Sequence, residues 1–296
     1  MSQGVPYSPT QQDLFYPAKT LDTFPTQRPK TEAALCAWLS LLAYCDQYPN
    51  FAFDQAKIKQ KLAPLGFQPL EPLGFFESKG KERNGGTHCF IAMHDDAVKE
   101  NRLAVVAFRG TDKDDPTDVL DDVNALPVPW GNNSKVFKGW KDAFDEVKQD
   151  LTPALQKIDC PLLVTGHSLG AALATVLATV RAPNGLYTIG SPRVGDHNFV
   201  ASLSGVNSFR YVDCCDIVTQ LPPTFLGYAH LGDPIYIDRN RNVIENPSDD
   251  FVSADRLRAR ADYLLHYAWK SGNVGVRDLA DHAPINYVTS IGAAQS

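Results

Sequence analysis

The sequence predicts an α/β fold, a mostly parallel central sheet flanked by helices. Two patterns carry this expectation. Short apolar strand candidates alternate with helical stretches, the layout of repeated β-α-β units. One apolar run, Pro161-Leu162-Leu163-Val164-Thr165, enters Gly166-His167-Ser168-Leu169-Gly170 and passes at once into Ala171-Ala172-Leu173-Ala174, which favours helix. The length of 296 residues, 44% of them hydrophobic, suffices for a sizeable core. Folds of this class and length often do not split, so residues 31–296 are expected to form a single domain.

Taken in order, residues 1–30 are rich in Pro, Gln and Thr and lack periodicity, which predicts an extended arm that wraps the body or frays. Thr31 is placed to cap a helix over Ala33 to Tyr44, apolar almost all round and therefore well buried. A shorter helix is expected between Asn50 and Leu65, closed by Pro64-Leu65-Gly66. Thr87 to His94 and Leu103 to Phe108 read as strands, the second buried on both faces. An acidic loop follows Arg109-Gly110-Thr111, with Asp112, Asp114, Asp115, Asp118, Asp121 and Asp122; in it Val119, Leu120 and Val123 suggest one helical turn. Val136 to Leu151 predicts a helix with Trp140, Phe144 and Val147 on one face. Gly185 to Gly190, Ser208 to Val212 and Pro234 to Asp238 read as strands, and Ala261 to Trp269 as a helix.

Composition excludes some partners. A formal net charge of −6 argues against nucleic acid or an anionic membrane as an electrostatic partner. No run approaches the roughly 18 apolar residues of a membrane span, so no transmembrane segment is expected. Met1 to Thr20 is polar, with Pro6, Pro9 and Pro17, and lacks the charged and apolar regions of a secretory signal. A cytoplasmic location is therefore expected, with leaderless export left open. Cys36, Cys45, Cys89, Cys160, Cys214 and Cys215 show no metal-ligand spacing, and free, mostly buried thiols are the expectation.

The Gly-x-Ser-x-Gly segment is where chemistry enters. Glycines two residues either side of Ser168 permit a turn too sharp for ordinary side chains, one that lifts the hydroxyl above the sheet edge. The helix that follows points its first N–H groups at the spot where an oxyanion forms. Serine at neutral pH needs a histidine to take its proton and a carboxylate to orient that histidine. In α/β-hydrolases these follow in the order Ser, Asp, His. His88 and His94 come too early, and His167 points away from the serine by geometry. Asp213 and Asp216 both follow the strand ending at Val212, and His230, His266 and His282 stand after them. Residue chemistry reaches a serine hydrolase and leaves its acid and base open.

From Val106 onward the chain resembles the class 3 lipase family of α/β-hydrolases. Val106-Ala107-Phe108-Arg109-Gly110-Thr111 is similar to the family's oxyanion strand, and Val136-Phe137-Lys138-Gly139-Trp140 to its V-H-x-G-F segment. Gly166 to Ala174 resembles its elbow nearly letter for letter, and Tyr187 to Gly195 its Y-T-Y/F-G-x-P-R-V-G block. Asp216-Ile217-Val218 with Leu221-Pro222-Pro223, Gly227-Tyr228-Ala229-His230, and Asp281-His282 resemble three further blocks. Together they span about residues 104–287, while residues 1–30 are not covered.

The resemblance implies Ser168 as nucleophile, Asp216 as orienting acid and His282 as general base. It implies an oxyanion hole from the N–H of Leu169 with the N–H and hydroxyl of Thr111, and no metal or cofactor. It makes His230 structural. The expected substrate is an acylglycerol or a related lipid or short-chain ester, reached by transient contact with a lipid interface. Phospholipase A1-type and feruloyl-like aryl esterase activities also belong to the family, and a non-catalytic lipid- or partner-binding scaffold is the contrasting possibility. The family's lid often reads D-W-x-x-D, and here Asp118-Val119-Leu120-Asp121-Asp122 lacks the tryptophan. That departure, in so acidic a loop, predicts weak interfacial activation and a poor fit to anionic bilayers.

Overall fold

A computed structural model describes residues 4–47, 52–78, 86–98, 101–111, 126–131 and 133–294. The predicted acidic loop at 112–125, with its helical turn and lid segment, lies outside the described residues.

Nine strands among the described residues form the central sheet: β1 (Gln68–Pro69), β2 (Phe75–Glu77), β3 (His88–His94), β4 (Leu103–Phe108), β5 (Leu162–His167), β6 (Gly185–Ile189), β7 (Ser208–Asp213), β8 (Pro234–Ile237) and β9 (Val243–Glu245). Their spatial order is β9-β8-β7-β6-β5-β4-β3-β1, and β2 also pairs with β3. Strands β4 to β8 run parallel, each with its neighbour, and the outer pairings are antiparallel. The parallel strands are apolar without a break because both faces are covered. Val105, Ala107 and Leu163 pack into one apolar cluster, and Ala104, Val106, Leu162 and Val164 into another. This alternation is the strand period of two.

Helices α1 (Glu32–Leu42) and α5 (Pro284–Ala293) cover the first face; α2 (Lys138–Gln156) and α3 (Leu169–Val180) cover the second. Thr31 caps α1, its Oγ1 accepting the Ala34 N–H at 3.3 Å. Trp140, Phe144 and Val147 lie buried on one face of α2 as their spacing predicts.

Element boundaries moved where tertiary pairing outweighed local pattern. The helix expected from Val136 starts at Lys138, because Ser134–Phe137 is a strand that pairs with Pro127–Trp130 and bonds to Gly195. The helix expected from Asn50 is shorter, Gln55–Leu62, capped by Asp54 and followed by a 3-10 turn and Gly66 at φ 75°. The helix expected at Ala261 begins twelve residues earlier as α4 (Asp249–His266), capped by Ser248. The charges of its first half mask any helical stripe. Residues 4–30 are not extended throughout: Gln11–Phe15 is a short helix capped by Thr10 and Pro17–Thr23 a 3-10 helix, with Leu14, Leu21 and Phe24 buried and Thr10 bridging to Asn273. No helix among the described residues is long and apolar enough to cross a membrane.

Candidate active site

Strand β5 ends at His167, α3 begins at Leu169, and Ser168 makes the whole turn between them at φ 58° and ψ −128°. A non-glycine residue at positive φ is strained and persists only where its surroundings fix it. Here a bond from the Ser168 N–H to the Ile189 carbonyl (3.0 Å) does so from one side. On the other, the Ser168 carbonyl accepts from the N–H groups of Ala171 and Ala172. The flanking glycines are required by contact. A Cβ at Gly166 would meet the Gly170 carbonyl at 2.3 Å, and one at Gly170 would meet the Phe108 carbonyl at 2.4 Å. The second contact brings the end of β4, three residues before Thr111, against the start of α3.

The three residues singled out for chemistry meet here. The Ser168 Oγ lies 2.9 Å from His282 Nε2, and His282 Nδ1 lies 2.8 Å from Asp216 Oδ2. All three are buried. The same Asp216 oxygen accepts from the Tyr287 hydroxyl at 2.5 Å, and Oδ1 accepts the Val218 N–H at 2.9 Å. Burial and the Asp216 charge push the Tyr287 phenol well above its ordinary value, so it stays protonated and remains a donor. A carboxylate held from three directions presents one oxygen to Nδ1. That selects the tautomer with Nδ1–H and a bare Nε2 able to accept the serine proton.

His167, inside the elbow, faces away from the serine. Its Nε2 is 2.9 Å from the His282 carbonyl oxygen, which only accepts, so Nε2 carries the proton. Burial first, then His282, hold His167 well below the usual histidine range and keep it neutral. Its Nδ1 is therefore an acceptor, and the Tyr44 hydroxyl donates to it at 2.8 Å. The residue before Ser168 thus holds the backbone of His282.

Thr111 Oγ1 is buried with no hydrogen-bond partner among the described residues. The Leu169 N–H, in the first turn of α3, has no intrahelical acceptor. Asp213 takes no part: its carboxylate pairs with Arg241 Nη1 at 2.6 Å, away from any histidine. His230 bonds the Thr219 carbonyl through Nε2 at 2.7 Å, while His197 and His266 are exposed. Cys214, Cys215 and Asp281 bring potential ligand atoms within 4.8 Å of one another. Those atoms are engaged. Asp281 pairs with Arg277 and accepts from Tyr7 and the Cys215 N–H, and the neighbouring Cys215 together with burial pushes the Cys214 thiol far up. The cluster works as a tie, joining the segment before Asp216 to the residue before His282. All six cysteines are free.

Sequence reasoning did not find Tyr44, Tyr287 or Tyr7. Tyr44 closes an otherwise apolar helix and Tyr287 lies on an apolar one, so a buried hydroxyl needing a partner was the available signal.

Residues 105–226 match the family model described as Lipase (class 3). The chain is similar to a lipase of Rhizomucor miehei, 32% identical over 57% of this chain and 50% of that one. The solved propeptide complex of the R. miehei lipase superposes with a TM-score of 0.54 at 26% identity, over 71% of this chain and 70% of the other. A secreted mono- and diacylglycerol lipase of Fusarium solani is 38% identical over 49% of this chain and 45% of its own. A chloroplastic phospholipase A1 of Arabidopsis thaliana is 26% identical over 71% of this chain and 51% of its own. The chain spans about half the length of the curated relatives it matches. The expected cytoplasmic location is overturned here, because the fungal relatives include secreted lipases.

Proposed function

From the match of residues 105–226 to the class 3 lipase family model, we propose that the chain is a serine carboxylester hydrolase of that family. Its substrates on this reading are acylglycerols or related lipid and short-chain esters, cleaved through an acyl-enzyme outside the cell. The unbroken hydrogen-bond chain from Ser168 through His282 to Asp216 carries the reading. Ser168 attacks the ester carbonyl while His282 Nε2 takes its proton, and Asp216 stabilises the imidazolium that forms. The N–H of Leu169 and the N–H and hydroxyl of Thr111 receive the oxyanion. The Thr111 hydroxyl, buried with no partner among the described residues, supports this role, since a buried donor without an acceptor is costly and a developing oxyanion supplies one. His282 then returns the proton to the leaving alcohol, and a water activated at the same nitrogen releases the acid. Residues 31–296 act as one domain on this reading, with residues 1–30 an arm tied to it.

The purified protein is expected to hydrolyse p-nitrophenyl esters and to be labelled by a fluorophosphonate. Ser168→Ala should abolish both, and activity that survives it would overturn the reading. A non-catalytic scaffold would stay unlabelled. A phospholipase A1-type activity is the second reading, favoured by the Arabidopsis relative, whose sequence match spans a larger share of this chain than those of the R. miehei and F. solani lipases. Triglycerides of graded chain length assayed beside phospholipids separate the two.

A further inference from the structure

Helix α4 is apolar on two sides. Its inner face packs Ala259 and Val252 against Val212, Cys214, Cys215 and Tyr236, and Arg256 Nε donates to the Cys214 carbonyl at 2.7 Å. These contacts seat the helix at the carboxyl ends of β7 and β8, directly before Asp216. The opposite face should then be polar. Instead it exposes Leu257 (71%), Leu264 (61%), Leu265 (69%) and, just beyond the helix, Trp269 (72%). Single exposed leucines need no explanation, but three at positions i, i+7 and i+8 share one side of the helix, and Trp269 is tied to the end of that side through Leu265. The Trp269 indole N–H already donates to the Leu265 carbonyl at 3.0 Å, so its exposed ring needs no polar partner.

Along the C-terminal half of this face the charges without an ion-pair partner among the described residues are basic, while the exposed acids Asp249 and Asp250 stand at the first turn of the helix. Arg258 and Lys270 are exposed and have no ion-pair partner among the described residues; Lys270 Nζ rests 5.7 Å from the Trp269 ring centroid. The acid on this stretch, Asp262, is taken by Arg239 at 2.7 Å. In a chain of net charge −6, a local face of leucine and tryptophan beside cations with no ion-pair partner among the described residues runs against the overall charge. Leucine and tryptophan flanked by basic residues is the composition that lies in the headgroup region of an anionic bilayer.

We propose that the outer face of α4, with Trp269 and Lys270, is a docking surface for anionic phospholipid membranes. The expectation that such membranes are poor partners follows from net charge and from the acidic loop, and it does not hold for this face. Docking there brings the membrane to the same helix that braces the strand leading into Asp216. The proposal is independent of the catalytic reading, because binding is measured without turnover.

The test uses the full chain and its Ser168→Ala form, sedimented with vesicles of phosphatidylcholine alone and of an equal mixture with phosphatidylglycerol. The expected result is retention on the mixed vesicles that salt weakens, and little on phosphatidylcholine. Arg258→Ala with Lys270→Ala should lower that retention on the order of tenfold, and Leu264→Ser with Trp269→Ser by at least as much. Hydrolysis of a dissolved p-nitrophenyl ester should be unchanged in both double variants, which also reports that they fold. Equal retention of the variants and the parent would overturn the proposal. So would a dimer in sedimentation equilibrium that the Leu264→Ser and Trp269→Ser variant dissociates, since the face would then belong to a second copy of the chain.

Discussion

Ser168 at φ 58° concentrates in one residue a strain that its neighbours hold in place. What the strained serine faces is decided by single atoms. The Thr111 hydroxyl has no hydrogen-bond partner among the described residues, and on the proposed reading it receives the oxyanion, so Thr111→Ala should lower kcat on the order of a hundredfold and leave KM nearly unchanged. His167 acts one step further back, through the carbonyl of His282. Glutamine there can keep a donor but not the imidazole plane that lies 4.6 Å from the His282 ring. His167→Gln should reduce kcat about tenfold with KM steady, as a small misplacement of a base does. A KM effect with kcat preserved would show that His167 shapes the substrate pocket instead. Asp213 makes the opposite point. It stands three residues from Asp216 and resembles it in sequence, yet its pairing with Arg241 removes it from the chemistry.

At the scale of elements, the site is the meeting of β5, α3 and the end of β4. A Cβ at Gly170 would lie 2.4 Å from the Phe108 carbonyl, and backbone cannot retreat as a flexible side chain can. Gly170→Ala should therefore force α3 away from β4 and separate Leu169 from Thr111. The expected outcome is a protein with lowered Tm whose Ser168 is no longer labelled by a fluorophosphonate; full labelling would contradict it. The apolar periodicity of β3 to β7 and the cap on α1 were legible in the sequence because they are local properties of the chain. The strand at Ser134–Phe137 was not, since its existence depends on Pro127–Trp130 and Gly195. Helix α4 was half visible for a related reason: a helix apolar on two faces and charged between them shows no single stripe.

For the whole molecule, burial of histidines links stability to pH. Burial, then Arg109, lowers His88 to about 3, and burial holds His167 and His230 well below their ordinary value. In the unfolded chain each takes a proton near its ordinary pKa of about 6.5; in the folded chain it does not. Below that pH the unfolded state binds more protons, so stability falls as pH falls, by up to about 1.4 kcal/mol per pH unit for each histidine. Burial raises the Asp213 carboxyl to about 8, which offsets one of the three histidines, so urea midpoints should decline steadily from about pH 6.5 toward pH 5. His88→Phe should make the decline shallower, because the Nδ1 of His88 has no partner among the described residues to lose. A midpoint that rises on acidification over that range would contradict this.

By itself, the sequence determined the strand before Ser168, the glycines around it, the helix after it and the chemical type of the partners it needs. These follow from steric rules and periodicities that act within about ten residues. Residue chemistry alone left two aspartates and three histidines open, and resemblance to a family chose among them. Only the tertiary structure decided which groups touch. His282 lies 66 residues from Asp216 and 114 from Ser168 along the chain. Tyr44, Tyr287 and the arm's Tyr7 are tied to this centre by contacts of the same long range. A hydrogen bond between such distant groups has no local signature, because it is the packing of the sheet and its helices that brings them within 3 Å.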